Sequence, residues 1–256
     1  MPHFFVSSKG IKGNEVLITG SEAKHIITVL RKRKGDMIDI FDGYGNGFRV
    51  RILEIDRSAG LPRVKAEIIT QRRRETEPKL KITLFQSVPK GNKLDFIIQK
   101  STEIGISEIV PVTTERTIVK LDYKKIKQKT LRWQKIAREA AKQSGRSTIL
   151  KVGPVLDFSQ ALREFSARKF PMGIIAWEME EKSRLREVLR SGVGGGVSKL
   201  ALAIFIGPEG GFAPEEVEQA KKMGLVPVTL GSRILRTETA GLVVAITALY
   251  ESGDLA

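Results

Sequence analysis

Two glycine-bearing turns in the last quarter of the chain constrain the fold more than any other feature. The stretch 203–248 leaves an apolar strand through the turn Gly207–Phe212, forms a helix and a short strand, and enters a second turn, Leu230–Thr237, before a last apolar helix. Open α/β sheets bind ligands at the carboxyl ends of their strands. Because each turn follows a strand, we expect the two turns to form one site.

Strand-like and helix-like segments alternate from Lys79 onward. Such alternation predicts βαβ units, with a mostly parallel sheet covered by helices on both faces. The glycine-rich segment Ser191–Ser198 is expected to be a connection. The predicted strands are Leu80–Phe85, Glu108–Val112, Gly173–Trp177, Leu200–Ile206 and Pro227–Leu230, and the predicted helices are Lys93–Ile104, Lys124–Gln143, Phe158–Phe165, Ser183–Leu189, Pro214–Met223 and Glu238–Glu251.

Residues 1–70 read instead as short strands with turns between them, typical of a small β-barrel. One helix interrupts them at Ser21–Leu30, and Asp42-Gly43 and Asn46-Gly47 bracket a tight hairpin connection. The polar, proline-terminated segment Gln71–Pro78 is expected to be a linker, so we predict domains at 1–72 and 73–256. The predicted strands are Phe4–Val6, Glu15–Ile18, Met37–Phe41, Phe48–Ile55 and Val64–Ile69.

The charge of the chain is strongly basic, with a formal net charge of +15. Residues 1–74 carry 15 Lys and Arg against 8 Asp and Glu, an excess of 7, and include the run Arg31-Lys32-Arg33-Lys34. A basic excess favours a polyanionic partner, of which nucleic acid is the usual one. The run is expected to contact phosphate, with a solvated turn as the alternative. His25 lies beside an apolar stripe and is expected either to pack there or to face RNA.

The residue types that are missing narrow the function further. The chain has no cysteine and only two histidines, which excludes disulfides and thiolate zinc sites and leaves almost no material for a Ser-His-Asp site. It has no run of about 18 apolar residues that could span a membrane. We therefore expect a cytoplasmic protein without a metal.

The first turn is chemically unlike a phosphate-binding loop. It places Glu209, Glu215 and Glu216 around the start of a helix, where a triphosphate would be repelled. Glycine backbone beside carboxylate suits a ligand with an adenine edge and a positive centre, although a plain glycine turn with dipole-compatible glutamates explains the same residues.

The second turn holds apolar residues, Ile234 and Leu235, beside two arginines. Such residues stay in a loop when they wall a pocket, and adenine is a flat ligand for that wall. Arg236 and Glu238 are expected at the mouth of the site, with a structural ion pair as the alternative. Thr237 is predicted to cap the last helix.

These segments together resemble the signature of the RsmE family. The chain reads IGPEGGFAPEE at the first turn and LGSRILRTETA at the second, with further similarity at Lys90–Gly105, Pro111–Arg116, Trp133–Arg146 and the amino-terminal HIITVLRKRKGD. The family comprises S-adenosylmethionine-dependent methyltransferases of the trefoil-knotted SPOUT class, which methylate N3 of a uridine in 16S ribosomal RNA (uridine 1498 in the usual numbering). His3 departs from the family's more usual arginine.

The resemblance implies an α/β fold with a SPOUT-type trefoil knot and a mostly parallel sheet, preceded by a small PUA-like β-barrel. It implies S-adenosyl-L-methionine as cofactor, 16S rRNA in the 30S subunit as partner, and a homodimer that uses apolar residues such as Leu242–Leu249. The cofactor is expected at Glu178, Gly207, Gly210, Gly211, Leu230, Gly231, Ile234, Leu235, Arg236, Thr239 and Ala240, and RNA is expected at His25, Arg31, Lys32, Arg33, Lys34, Arg116 and Arg146.

For catalysis we expect Arg236 to stabilise the uracil anion. Glu209 or Glu238 would act as the base or would position the arginine. Two other functions are consistent with the same motifs. One is methylation of a ribose 2′-oxygen or of a different base, and the other is a non-catalytic RNA-binding role in ribosome assembly.

Overall fold

The computed structural model describes residues 4–57, 62–73, 76–119, 122–192 and 201–255. The chain forms two compact units, and His3 lies outside the described residues. The first unit comprises Met1–Glu77 and Ala141–Ile149, and the second comprises Pro78–Ala140 and Leu150–Ala256. The sequence did not indicate that residues 141–149 pack with the amino-terminal part. The predicted boundary between residues 72 and 73 stays a prediction.

The first unit is built on a six-stranded sheet. Its neighbouring strands run antiparallel except for one parallel pair, β1 with β4, and its order is β1-β4-β5-β6-β3-β2. The five strands that the alternating patterns predicted are present, with shifted ends except for β4, and β2, which is two residues long, was missed. The strands are β1 Phe4–Phe5, β2 Ile11–Lys12, β3 Glu15–Thr19, β4 Met37–Phe41, β5 Asn46–Asp56 and β6 Arg63–Arg73.

Two features of this unit differ from the expectation. The predicted helix at 21–30 is a short helix α1, Gly20–Lys24, followed by a π-helical turn, His25–Val29, in which the N–H of Leu30 bonds the carbonyl of His25. Strand β6 also runs into the predicted linker, because residues 71–73 pair with residues 46–48 of β5. Arg74 and Glu75 of that linker lie outside the described residues.

The predicted hairpin between β4 and β5 is present. Phe41 pairs with Gly47, and the carboxylate of Asp42 accepts hydrogen bonds from the backbone N–H groups of Tyr44 and Asn46. Residues of β4 and β5 then contribute to an apolar core together with β3, β6 and the π-helical turn. The turn chemistry of the sequence therefore sets the pairing register of the sheet.

The second unit contains a sheet whose paired strands are all parallel. Its order is β10-β8-β7-β12-β11-β13, with β9 also paired to β8. The five predicted strands are present with shifted ends. The prediction missed β9 and β10, because each is two residues long. Leu200 and residues 193–198 of the predicted connection lie outside the described residues. The strands are β7 Lys81–Ser87, β8 Glu108–Thr113, β9 Lys151–Val152, β10 Leu156–Asp157, β11 Met172–Ala176, β12 Ala201–Ile206 and β13 Val226–Val228.

Helices connect these strands, as the alternation predicted. The central strands carry buried aromatic rings, with Phe85 stacked on Phe205 at 4.3 Å between centroids. No helix among the described residues is long and apolar enough to cross a membrane. The helices are α2 Lys93–Ile104, α3 Tyr123–Ser144, α4 Phe158–Ala167, α5 Leu185–Gly192, α6 Pro214–Lys222 and α7 Thr237–Glu251.

The path of the last strands positions three loops at one edge. The chain leaves β11, adds β12 on one side of it, then adds β13 on its other side. Helix α7 then returns to pack against α2, α5 and β12. The connections after β11, β12 and β13 therefore meet beside the start of α7.

Candidate active site

A cleft of about 1170 Å³ opens at the carboxyl ends of β11, β12 and β13. Its walls come from the segments 176–186, 206–211 and 229–237, together with Lys93 and one face of α7. Its volume is that of a site for a ligand of cofactor size. The two glycine-bearing turns line this one cleft, as their positions in the sequence predicted.

The first turn needs glycine because its backbone lies against other groups. Gly211 has φ of +69°, and a Cβ there would overlap the carboxylate of Glu178. A Cβ on Gly207 would lie 3.1 Å from the backbone of Gly211. The carbonyl of Gly210 accepts a hydrogen bond of 2.9 Å from Arg116 Nη1. The turn is thus closed on itself and fixed at its tip by Arg116.

The helix after this turn is held by a buried carboxylate. Glu216 accepts hydrogen bonds from the backbone N–H of Ala213 and of Glu115, each at 3.0 Å. Pro214 occupies the first position of α6, as the sequence indicated.

A chain of buried hydrogen bonds joins the first turn to the start of α7. Thr237 Oγ1 donates to the carbonyl of Gly207 at 2.6 Å, and Gln86 Nε2 donates to Thr237 Oγ1 at 2.9 Å. The predicted cap role of Thr237 is wrong, because Arg236 occupies the cap position and Thr237 is already helical. Gln86 was missed, since nothing in the local pattern of β7 marks its end as part of a site.

Apolar groups form part of the cleft wall. Leu230 and Leu235 are half-buried there, while Ile234 is 87% exposed. Trp177 also lines the cleft, and its buried Nε1 has no hydrogen-bond partner among the described residues. The sequence did not single out Trp177, although an aromatic residue directly after a predicted strand is a usable signal.

Lys93 connects a carboxylate of the first glycine-bearing turn with a carboxylate in the first helical turn of α7. Its Nζ lies 2.9 Å from Glu209 Oε1 and 3.4 Å from Glu238 Oε2. Arg236 is 3.9 Å from the other oxygen of Glu238, and its side chain is 81% exposed. The ion pair between Arg236 and Glu238 that was the alternative is therefore present at 3.9 Å, although Lys93 is the closer partner of Glu238.

The pKa values of this network follow from the same contacts. Burial by itself would raise the pKa of Glu209, but the hydrogen bond from Lys93 and those from backbone N–H groups lower it below the usual value. The hydrogen bond to Glu209 is the main cause that raises the pKa of Lys93. Glu209 is therefore ionised in neutral solution and is a weak proton acceptor.

The structure brings most of the predicted cofactor residues together. Thr239 and Glu238 do not contribute to the lining, and Thr239 is exposed on α7. The sequence missed several charged lining residues that follow β11, among them Glu180 and Arg184. The predicted residues that line the cleft are Glu178, Gly207, Glu209, Gly210, Gly211, Leu230, Gly231, Ile234, Leu235, Arg236 and Ala240.

The predicted RNA contacts lie in different environments. His25 is half-buried against Phe4, with ring centroids 5.6 Å apart in an edge-to-face arrangement. Arg31, Arg33 and Lys34 are exposed on the first unit. Lys32 is half-buried and pairs with Asp36. Arg116 belongs to the second unit, where it binds the first turn.

Arg146 requires a correction. Its side chain is 5% exposed, and Nε and Nη2 donate to Glu77 Oε2 at 3.1 and 2.6 Å. A guanidinium so enclosed cannot present itself to a phosphate group. Arg146 is therefore a structural partner of Glu77 rather than the RNA contact that we expected.

Comparisons with known proteins agree with this geometry. Residues 76–249 match the family model of an RNA methyltransferase domain, and residues 18–60 match that of an RNA methyltransferase PUA domain. Ribosomal RNA small subunit methyltransferase E of Bacillus subtilis is 36% identical over 92% of this chain and 90% of that protein. The same-named protein of Mesomycoplasma hyopneumoniae is 32% identical over 94% and 96%.

Solved structures show the same similarity. Ribosomal RNA small subunit methyltransferase E from Neisseria gonorrhoeae, bound to S-adenosyl methionine, has a TM-score of 0.76 at 32% identity and covers 98% of this chain and 97% of its own. A methyltransferase from Legionella pneumophila, in complex with the bound cofactor SAM, has a TM-score of 0.80 at 29% identity and covers 97% and 96%.

The fold and the cleft thus define an RNA methyltransferase of the SPOUT class, with an α/β trefoil knot preceded by a small PUA-like domain. The knot itself was expected only from the resemblance, and the similarity to these structures supports it. Within this class, the chain belongs to the ribosomal RNA small subunit methyltransferase E family. The expected family is confirmed.

Proposed function

We propose that this protein transfers a methyl group from S-adenosyl-L-methionine to N3 of a uridine in 16S rRNA, on the assembled small subunit. The observation that carries the proposal is the cleft itself. It joins two glycine-bearing turns through Thr237 and carries the exposed guanidinium of Arg236 at its edge. Relatives at 36% and 32% identity are named for methylation of the small ribosomal subunit.

The residues of the cleft fit this cofactor. The absence of a Cβ at Gly211 lets the Glu178 carboxylate lie against the first turn, where it can pair with a cationic centre. Leu230 and Leu235 offer an apolar wall for an adenine ring, and the unpaired Nε1 of Trp177 offers a donor. When bound, S-adenosyl-L-methionine supplies the methyl group on a cationic sulfur.

Arg236 is the residue that we assign to the uracil. N3 of uracil carries a proton, so attack on a methyl group requires the ring to lose that proton and to bear negative charge on O2 and O4. Among the described residues, the Arg236 side chain has one carboxylate partner, Glu238 at 3.9 Å, and it is exposed enough to reach a bound base. A guanidinium beside O2 or O4 stabilises the uracil anion. The target uridine has to be unpaired or extruded to enter.

Glu209 and Glu238 then act by position rather than as bases. Lys93 holds both carboxylates, and the lowered pKa of Glu209 makes it a poor acceptor of the N3 proton. Glu238 pairs with Lys93 through one oxygen and with Arg236, at 3.9 Å, through the other. It therefore restrains the guanidinium of Arg236 but leaves much of its positive charge available to the base. On this assignment, water takes the proton from N3, and Arg236 stabilises the negative charge that develops on O2 and O4 as the proton leaves.

We further propose that the protein acts as a homodimer through α7. Val243, Ile246, Thr247 and Tyr250 follow one another at helical spacing, and Ile246 and Tyr250 are 43% and 64% exposed. Val243 and Thr247 of the same stripe line the cleft. A second copy bound there would bury the stripe and close one side of the cleft. The proposed substrate places the protein in the cytoplasm.

The test is methyl transfer from labelled cofactor to small ribosomal subunits and to free 16S rRNA, followed by nucleoside analysis. We expect N3-methyluridine, formed preferentially on the subunit. Arg236→Ala is expected to reduce turnover by at least about a hundredfold, the size of effect seen for one stabilising donor, with cofactor affinity by calorimetry retained. Arg163→Ala, an exposed arginine of α4 outside the cleft, is the matched control.

Three results would contradict the proposal. Methylation of a ribose oxygen or another base would change the reaction, and failure to bind the cofactor would favour an assembly factor. Undiminished turnover of the Arg236 variant would remove its catalytic assignment.

A further inference from the structure

A second cavity, a groove of about 470 Å³, lies in the first unit. It is lined by Ile27, Thr28, Arg31, Arg33 and Arg57. Two of these arginines belong to the basic run, while the third follows β5 and is distant in sequence. The groove thus brings two arginines of the basic run together with one arginine from a separate segment.

The backbone after the π-helical turn gives the run its alternating arrangement. Arg31 has φ of +51°, a left-handed conformation that is uncommon outside glycine. The N–H of Lys32 then bonds the carbonyl of Ile26 at 3.1 Å, and the N–H of Gly35 bonds the carbonyl of Ile52 at 2.8 Å. These bonds fix a turn in which Arg31 and Arg33 face the groove.

The lysines of the run are placed differently. Lys32 pairs with Asp36 at 3.9 Å, and neither Lys32 nor Lys34 lines the groove. The carboxylate of Asp36 also accepts a hydrogen bond of 2.9 Å from the backbone N–H of Arg33. No carboxylate among the described residues pairs with the guanidinium of Arg31, Arg33 or Arg57. The groove therefore carries positive charge that is not neutralised within this part of the chain.

We propose that this groove binds phosphate groups of the RNA backbone through Arg31, Arg33 and Arg57. The proposal rests on the proposed function, which makes RNA the substrate. Guanidinium groups bind phosphate oxygens in bidentate geometry. The described residues that line the groove include no aromatic ring, and thus no stacking surface of the kind on which unpaired bases are read. It therefore positions the RNA without reading its sequence.

The test compares two pairs of substitutions that remove the same charge. Arg33→Gln with Arg57→Gln alters the groove, and Lys32→Gln with Lys34→Gln alters the same turn outside it. Binding of a 16S rRNA fragment is measured by fluorescence anisotropy over a range of salt concentrations. We expect the groove pair to lose at least roughly tenfold in affinity, since charged hydrogen bonds are removed, and to lower the salt slope by about 1.5 to 2. For the lysine pair, we expect the loss of affinity and the change in salt slope each to be less than half of those for the groove pair.

Arg57→Gln alone decides between the groove and the linear run. If the run acts as diffuse charge, this variant will bind RNA like the wild type and the two pairs will lose affinity equally, which overturns the proposal. Equal loss of binding to poly-glutamate and to RNA overturns it in favour of an acidic protein partner. Cofactor affinity by calorimetry is expected to stay unchanged in all variants. Nucleoside analysis of the wild type tests the proposed function separately, because it does not depend on this groove.

Discussion

Replacing Glu77 by Gln is expected to destabilise the first unit strongly in neutral solution. The Glu77 carboxylate accepts hydrogen bonds from Arg146 and, at 3.1 Å each, from the backbone N–H groups of Ser147 and Thr148. Burial by itself would raise the pKa of Glu77, but the hydrogen bonds and the charge of Arg146 lower it from 4.5 to about 2. This one carboxylate thus joins two distant segments of the unit.

The magnitude and the sign follow from that pKa. Because the pKa is lower in the folded state, the ionised carboxylate stabilises the protein above pH 4.5, and this contribution is lost as the pH falls toward 2. A shift of this size corresponds to about 3 kcal/mol, which screening at the partly exposed edge reduces to about 2. The Gln variant also replaces the charged acceptor of the buried Arg146 guanidinium by a neutral one, so we expect a total loss of about 2–4 kcal/mol at pH 7.

Urea unfolding at pH 7 and pH 3, followed by circular dichroism, measures both effects. The wild type is expected to lose roughly 1–2 kcal/mol of the Glu77 contribution between these pH values, and Glu77→Gln should lose none of it. Glu54→Gln, at an exposed glutamate of β5, is the matched control. A Glu77 variant as stable as this control at pH 7, with the pH dependence of the wild type, would refute the reasoning.

Two further predictions concern the cleft. Gly211→Ala and Gly224→Ala both place a Cβ at positive φ, which we expect to cost each variant about 1 kcal/mol in thermal unfolding. Only the Cβ at Gly211 meets the Glu178 carboxylate, whereas none lies within 4 Å at Gly224, so calorimetry should show weaker cofactor binding for the first variant alone. Thr237→Val removes the hydroxyl that bonds Gly207 and is expected to cost about 1–3 kcal/mol and to weaken cofactor binding. Thr237→Ser keeps the hydroxyl and should retain both, and equal behaviour of the two variants would count against the link.

The sequence predicted those parts of the fold that are encoded locally. Strands and helices have their own periods, and the turns at Gly207–Phe212 and Asp42–Gly47 have the residues that such turns need, so their positions could be inferred. The π-helical turn at His25–Val29 could not, because its apolar stripe is also compatible with an ordinary helix. The path of a knot is not written in any local pattern and was available only through the resemblance.

The site was predictable only where it lies on consecutive residues. The two turns are recognisable from their own residues. Lys93 of α2, which lines the cleft, and Gln86 of β7, which bonds Thr237, lie more than a hundred residues earlier in the chain than their partners. The prediction for Arg146 failed in the opposite way. Arg146 is basic and ends the segment Trp133–Arg146 that resembles the family, so it was predicted to lie on the surface and to contact RNA. Only the folded structure shows that Glu77 neutralises it.

The first unit is built from two separate segments of the chain, and this affects how the protein can fold during synthesis. Ala141 and Ile149 belong to the same apolar cluster as Phe5 and Phe41, and Arg146 is the partner of Glu77. A growing chain cannot complete this unit when residue 77 has been made. It has to wait until residue 149 of 256 has emerged from the ribosome. By then the first strands of the second unit have also emerged, so the usual order of amino-terminal unit first does not hold here.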